Sequence, residues 1–187
     1  MLRRALLLTA LAAALGVPLR AQTLAELTAT PETTADAFLR SVRAIRWDVT
    51  AQLLHHETLQ RFHTLVSMIA EADTTGETRR YLTRTEASGF GALTGTQVFE
   101  RSIGAMIDEM PGLMHALYDR DDEVLGHVPE DPDSAHVVYR TLARIGGAVP
   151  EVKVMQLART DAGWRIRWTD EIEVLDAALR GVRMGRR

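Results

Sequence analysis

Apolar residues recur along this chain at two different spacings, and the change falls near residue 120. From Thr30 to Tyr118 they return every three or four residues, the period of a helix with one buried stripe. From Asp122 to Thr169 they return every second residue, the period of a strand. After Asp170 the helical spacing comes back.

In the first part, Ala35, Phe38, Leu39, Val42 and Ile45 mark one amphipathic helix. Thr30 is placed to cap it, Pro31 fits its first position, and the acids that follow suit its first turn. Trp47-Asp48 is expected to end it, with Asp48 capping a second helix that carries Val49, Leu53 and Leu54. Leu59, Phe62, Leu65, Val66 and Ile69 mark another; His55-His56 before it reads equally as a break or a continuation. Ala72 to Gly95, with four glycines, reads as a long loop, a flap at the mouth of a pocket, in which Tyr81-Leu82 begins a short helix or strand. Thr96 caps a helix with Phe99, Ile103, Met106, Ile107 and Met110. Pro111-Gly112 interrupts it before Leu113, Met114, Leu117 and Tyr118.

The strands follow. Val124, Gly126 and Val128 share one face of the first, with Leu125 and His127 on the other. Residues 130–133 are the turn. In the second strand Val137, Tyr139 and Thr141 alternate with His136, Val138, Arg140 and Leu142. Apolar residues on both faces predict a central strand covered on both sides. Gly146-Gly147 and Pro150 turn the chain into a third strand, Val152 to Leu157. A turn at Asp161-Ala162-Gly163 leads to the fourth, where Trp164, Ile166 and Trp168 alternate with Arg165 and Arg167. Asp170 caps a last helix with Ile172, Leu175, Leu179 and Val182, and Arg180 to Arg187 reads as a solvated tail. The expected class is α+β: N-terminal helices packed on one face of a curved antiparallel sheet, then a short C-terminal helix.

Composition narrows this picture. The chain has 187 residues, 46% hydrophobic and 25% charged, the profile of one globular domain. A net charge of −3 argues against a nucleic-acid partner. With no Cys, disulfides, thiolate nucleophiles and zinc–thiolate or iron–sulfur sites are excluded. Met1 to Ala21 has the form of a secretory signal: Arg3-Arg4, an uncharged apolar run from Ala5 to Leu15, then Gly16, Pro18 and a small residue, Ala21, for cleavage. The run is too short to span the ~30 Å apolar layer of a bilayer. The expected mature chain is 22–187, exported to the periplasm or secreted and free of the membrane. Loss of Arg3, Arg4 and Arg20 moves its charge by three, from −3 to −6.

Several helices, a loop, another helix and a run of long antiparallel strands resemble the NTF2-like superfamily, the cystatin-like α+β cone that includes ketosteroid isomerase-like proteins. Arg46-Trp47-Asp48 at the end of the first helix, Val49 to His55 as the second, and Val152 to Leu157 with Gly163 to Ile166 as a closing hairpin carry the likeness. It covers roughly 31–169, the expected core of a single domain over 22–187. The resemblance implies a bent sheet wrapped around the first helix with a conical pocket between them. Pairing through the sheet, as a homodimer, is one expected mode of action for a pocket-forming chain without a recognisable catalytic set. The superfamily holds isomerases, dehydratases, cyclases and binding modules, so the fold alone does not name an activity.

The candidate chemistry is sparse. His127 and His136 lie on consecutive strands, and Arg140 shares a face with His136. With Glu130 nearby, they form a polar cluster able to line a pocket, joined by Tyr139 and Trp164. A His beside a carboxylate can move a proton near neutral pH. The family's isomerases place a tyrosine on the first helix, where this chain has Phe38 and no Tyr. His55, His56 and His63 lack the spacing of a metalloprotease helix, since Gln60 stands where a second His is needed. Gly89, Gly91 and Gly95 match no phosphate loop, and Met106, Met110 and Met114 read as core. No metal and no cofactor are expected. The expected role is an exported module that binds a small apolar molecule or a protein partner without catalysis. The alternative is a pocket isomerase or dehydratase using a His/acid pair.

Overall fold

The structure is a computed structural model that describes residues 22–84, 87–109, 112, 117, 119–144 and 148–185. The expected leader, Met110-Pro111, Leu113, Met114, Tyr118, the Gly146-Gly147 turn and the last two arginines of the tail lie outside those residues. Helices α1 (Leu24–Leu27), α2 (Pro31–Arg43), α3 (Trp47–Leu53), α4 (His56–Ala72), α5 (Glu77–Thr83) and α6 (Gly95–Glu109) precede the sheet. Strands β1 (Arg120–Asp131), β2 (Ser134–Ala143), β3 (Glu151–Thr160) and β4 (Gly163–Trp168) follow, then α7 (Asp170–Gly185). The sheet is antiparallel throughout, in the order β1-β2-β3-β4, so the fold is α+β with an open four-stranded sheet.

Helix α2 starts as its sequence dictates. The Thr30 and Thr33 side chains each accept the other's backbone N–H, and Pro31 occupies the first position. Its end departs from the expected pattern. Arg46 N–H bonds the Ser41 carbonyl at 2.8 Å and Ile45 N–H bonds the Val42 carbonyl at 3.1 Å. This closing motif places Ile45 in the left-handed region at φ 60°, and it leaves the helical stripe for solvent. Helix α3 is therefore not capped by Asp48; its cap position is Arg46, which pairs with Asp48 at 2.8 Å.

His55 marks a break that tertiary contacts make. Leu54 is extended and forms a parallel bridge with Ile166 of β4. His55 N–H then bonds the Ile166 carbonyl at 2.8 Å, while its ring Nδ1 accepts the Glu57 N–H at the start of α4. Between Ala72 and Gly95 the expected loop is instead largely helical. Helix α5 packs on α4 and α6, with Leu82 fully buried and the Tyr81 hydroxyl donating to the Ala105 carbonyl. Periodicity could not reveal a seven-residue helix that offers the core so few apolar residues.

The core lies between the helices and one sheet face. Phe38 and Val42 of α2 are buried in the same cluster as Val137, Tyr139, Met155, Leu157 and Ile166. Phe62 of α4 meets Phe99 of α6 edge-to-face, ring centres 5.0 Å apart. A bulge between Val124 and Gly126 changes the expected alternation in β1: Val124 pairs with Tyr139, yet Gly126 pairs with Val138 and His127 with Val137. Val124 and His127 thus share the inner face. The extra residue bends the strand, with Gly126 at φ 150°. At the β3–β4 turn, Gly163 sits at φ 100°. A Cβ there would lie 2.5 Å from the Thr28 hydroxyl oxygen, because the chain after α1 is stapled to this turn by Trp164 N–H to the Thr28 carbonyl at 2.9 Å.

The outer face does not match the expectation of cover on both sides. β2 is internal to the sheet, but Val128, Leu142, Val152 and Val154 are exposed there, from 37% for Leu142 to 66% for Val152.

Candidate functional site

The inner face of the sheet carries the deepest group of ionisable side chains among the described residues. Arg120 and Asp122 project from β1 and Tyr139 and Thr141 from β2; Asp122 stands opposite Thr141 in the strand register. Helix α7 brings the fifth member. Its cap is Thr169, whose hydroxyl accepts the Ile172 N–H at 3.2 Å, and this turn directs Glu171 at the sheet. The Tyr139 hydroxyl donates to the two Glu171 oxygens at 3.0 and 2.9 Å, and Arg120 Nη1 reaches Glu171 at 2.8 Å. Burial and the adjacent Glu171 charge push the Tyr139 hydroxyl far above its ordinary pKa, so it remains a donor.

Arg120 Nε is 3.2 Å from Asp122 Oδ1 but is not aligned as a hydrogen bond. That nitrogen, Arg120 Nη2, both Asp122 oxygens and the Thr141 hydroxyl are buried without a hydrogen-bond partner among the described residues. Both oxygens of Glu171 are taken up, so the carboxylate pins α7 to the sheet and is not a free base. A local sequence signal existed for Arg120 and Asp122, which continue the two-residue alternation of Val124. Glu171 had none, since an acid in a first helical turn usually faces water.

The five pocket candidates are not brought together. Tyr139 is buried in the group just described. His127 lies at the inner edge and bonds Glu32 of α2 through Nδ1. Partial burial pushes the Glu32 carboxyl up, but His127, its own backbone N–H and Thr30 together outweigh that and leave it below its usual range. Beside it runs an open groove of about 390 Å³ lined by Glu32, Thr33, Asp36, Val124, Leu125 and Gly126. His136 is on the outer face, with Nε2 3.0 Å from Glu130, and Arg140 pairs there with Glu123. Trp164 packs at the hairpin end against the core. The bulge in β1 is the physical reason His127 and His136 part: it moves His127 to the face opposite His136.

His55, His56 and Glu57 bring their ligand atoms within 4.8 Å of one another. Their surroundings disfavour a cation. His55 Nδ1 is engaged as the helix cap, and Arg167 lies 3.3 Å from Glu57. Burial first, then the neighbouring His56, keep the His55 ring below its ordinary pKa, with Arg167 and Arg165 adding to the effect.

No protein-family model, curated protein or solved structure matches this chain.

Proposed function

We propose that the protein is an exported, non-catalytic module of the NTF2-like type that works by pairing through the outer face of its sheet, and that its partner is a second copy of the same chain. The observation that carries this reading is the uncovered apolar strip on that face: Val138 opposite Val154, with Leu142, Val152 and Val128 around them. The other face of the same strands is filled by Val137, Tyr139, Met155 and Leu157, all almost fully buried under helices, which leaves less room for an apolar ligand. An exposed contiguous apolar patch marks an interaction surface.

The rim favours a like partner. It carries both signs in pairs, Glu123 with Arg140 and Asp121 with Arg144, beside the hydrogen-bonded Glu130 and His136. A two-fold axis through the strip sets each patch against itself, so such a mixed rim can exchange partners without like-charge repulsion. The bulges of β1 and β4 and the packing of α2 on the sheet are compatible with a bent NTF2-like sheet.

The test is sedimentation velocity on residues 22–187, alone and as Val154→Arg. Pairing is expected to appear as a dimer at micromolar concentration that Val154→Arg converts to a monomer of unchanged circular dichroism. A wild-type monomer at about 100 μM, where even weak pairs with Kd near the micromolar range are saturated, overturns the reading.

A further inference from the structure

A second feature lies at the start of α4, on the edge of the sheet formed by β4. An open depression of about 380 Å³ is lined by Glu57, Thr58, Arg61, Gln156, Arg167 and Trp168. Its walls are held firmly: the Thr58 hydroxyl donates to the Arg167 carbonyl, and His55 N–H to the Ile166 carbonyl. The Arg61 guanidinium lies over the Trp168 ring, 4.1 Å from its centre.

The charge around it is unbalanced. Arg61 and Arg180 share the carboxylate of Asp176, and Arg167 meets Glu57 alone among the described carboxylates. Arg165 is 92% buried and has no carboxylate partner among the described residues; its one hydrogen bond is from Nη1 to the Trp164 carbonyl, at 2.8 Å. Burial draws its pKa down, and its charge is felt at His55, beside Glu57 in the wall. Among the described residues, four guanidinium groups therefore stand against two carboxylates, in a chain whose net charge is negative. A largely buried cation without a carboxylate partner is costly, and an anion bound nearby lowers that cost. The amino end of the 17-residue α4 adds its positive dipole to the same spot.

We propose that this depression binds a small organic anion, a carboxylate or phosphate held by Arg167 with its flat part against Trp168 and Arg61, and Arg165 supplying the field behind it. Guanidinium forks suit both oxyanions, and the stacked indole suits a planar body. The inference does not rest on the pairing surface.

The probes are phenyl phosphate and benzoate, with benzyl alcohol as the uncharged control, titrated into residues 22–187 and followed by the Trp168 indole N–H signal. Saturable shifts are expected with both anions and not with the alcohol. Arg167→Gln is expected to weaken binding about tenfold, the scale of one charge-assisted contact; Arg167→Lys and Arg165→Met, the latter without direct contact, are expected to weaken it less. Because Arg165 is buried, signal dispersion of its variant is compared first; if that variant does not fold, Arg167→Gln alone decides. No saturable shift up to about 10 mM, or shifts that Arg167→Gln leaves intact, overturns the site.

Discussion

Ile45 and His55 are ordinary in the sequence and consequential in the structure. Ile45 occupies the position after a helix where glycine is favoured, at φ 60°. The left-handed conformation costs a residue with a Cβ about 1–2 kcal/mol, and more for a branched one. Ile45→Gly gives up part of that gain to the freer unfolded chain. It is expected to raise stability by about 1 kcal/mol, read as a higher urea midpoint at unchanged slope; a lower midpoint would show that Ile45 is held by packing instead. His55 accepts the Glu57 N–H through Nδ1, which requires a neutral ring. Its pKa is lowered from its ordinary 6.5 by burial, so the unfolded chain takes up the proton first as pH falls. The cap's contribution is therefore present above 6.5 and is lost as pH drops through that value toward the folded pKa. His55→Asn, which caps without titrating, is expected to flatten the fall in stability on that acid side. His55→Ala costs about 1 kcal/mol at alkaline pH and less in acid. A pH profile identical for wild type and His55→Asn would refute this role.

At the scale of elements, α7 is held by one buried acid. Tyr139→Phe removes a neutral donor to a charged acceptor and is expected to cost about 1.5 kcal/mol. Glu171→Gln removes the better aligned of the two carboxylates facing Arg120 in the interior, leaving only Asp122, and is expected to cost about 3 kcal/mol. The two residues touch, so the double variant should cost less than the sum of the singles. Urea unfolding measures all three, and hydrogen exchange over Asp170–Gly185 shows whether the loss is local to α7. Strict additivity would mean that the pair is not coupled. The element boundaries show what pattern alone can supply. The start of α2 was readable because Thr30, Pro31 and Thr33 act on their own backbone. The break at His55 was not, because Ile166, more than a hundred residues later, makes it.

The whole molecule is asymmetric. One sheet face is sealed by helices and the other presents valines to solvent. If that face pairs with a second copy, melting temperature should rise with protein concentration, and Val154→Arg should abolish the rise. A melting temperature independent of concentration counts against pairing. The sequence pointed to cover on both sides because β2 has apolar residues on both faces, and that pattern arises equally from a buried strand and from a strand with one associating face.

Periodicity alone determined the succession of helices, then strands, then a helix, since a period near 3.6 or of 2 is a property of neighbouring residues along the chain. The alternation in β2 likewise set Tyr139 and His136 on opposite faces. Tertiary structure decided which of those faces is sealed, that a bulge moves His127 away from His136, and that Glu171, Arg120 and Tyr139 meet. Each depends on residues distant in sequence and on an extra residue in one strand, and a two-residue period carries no record of either.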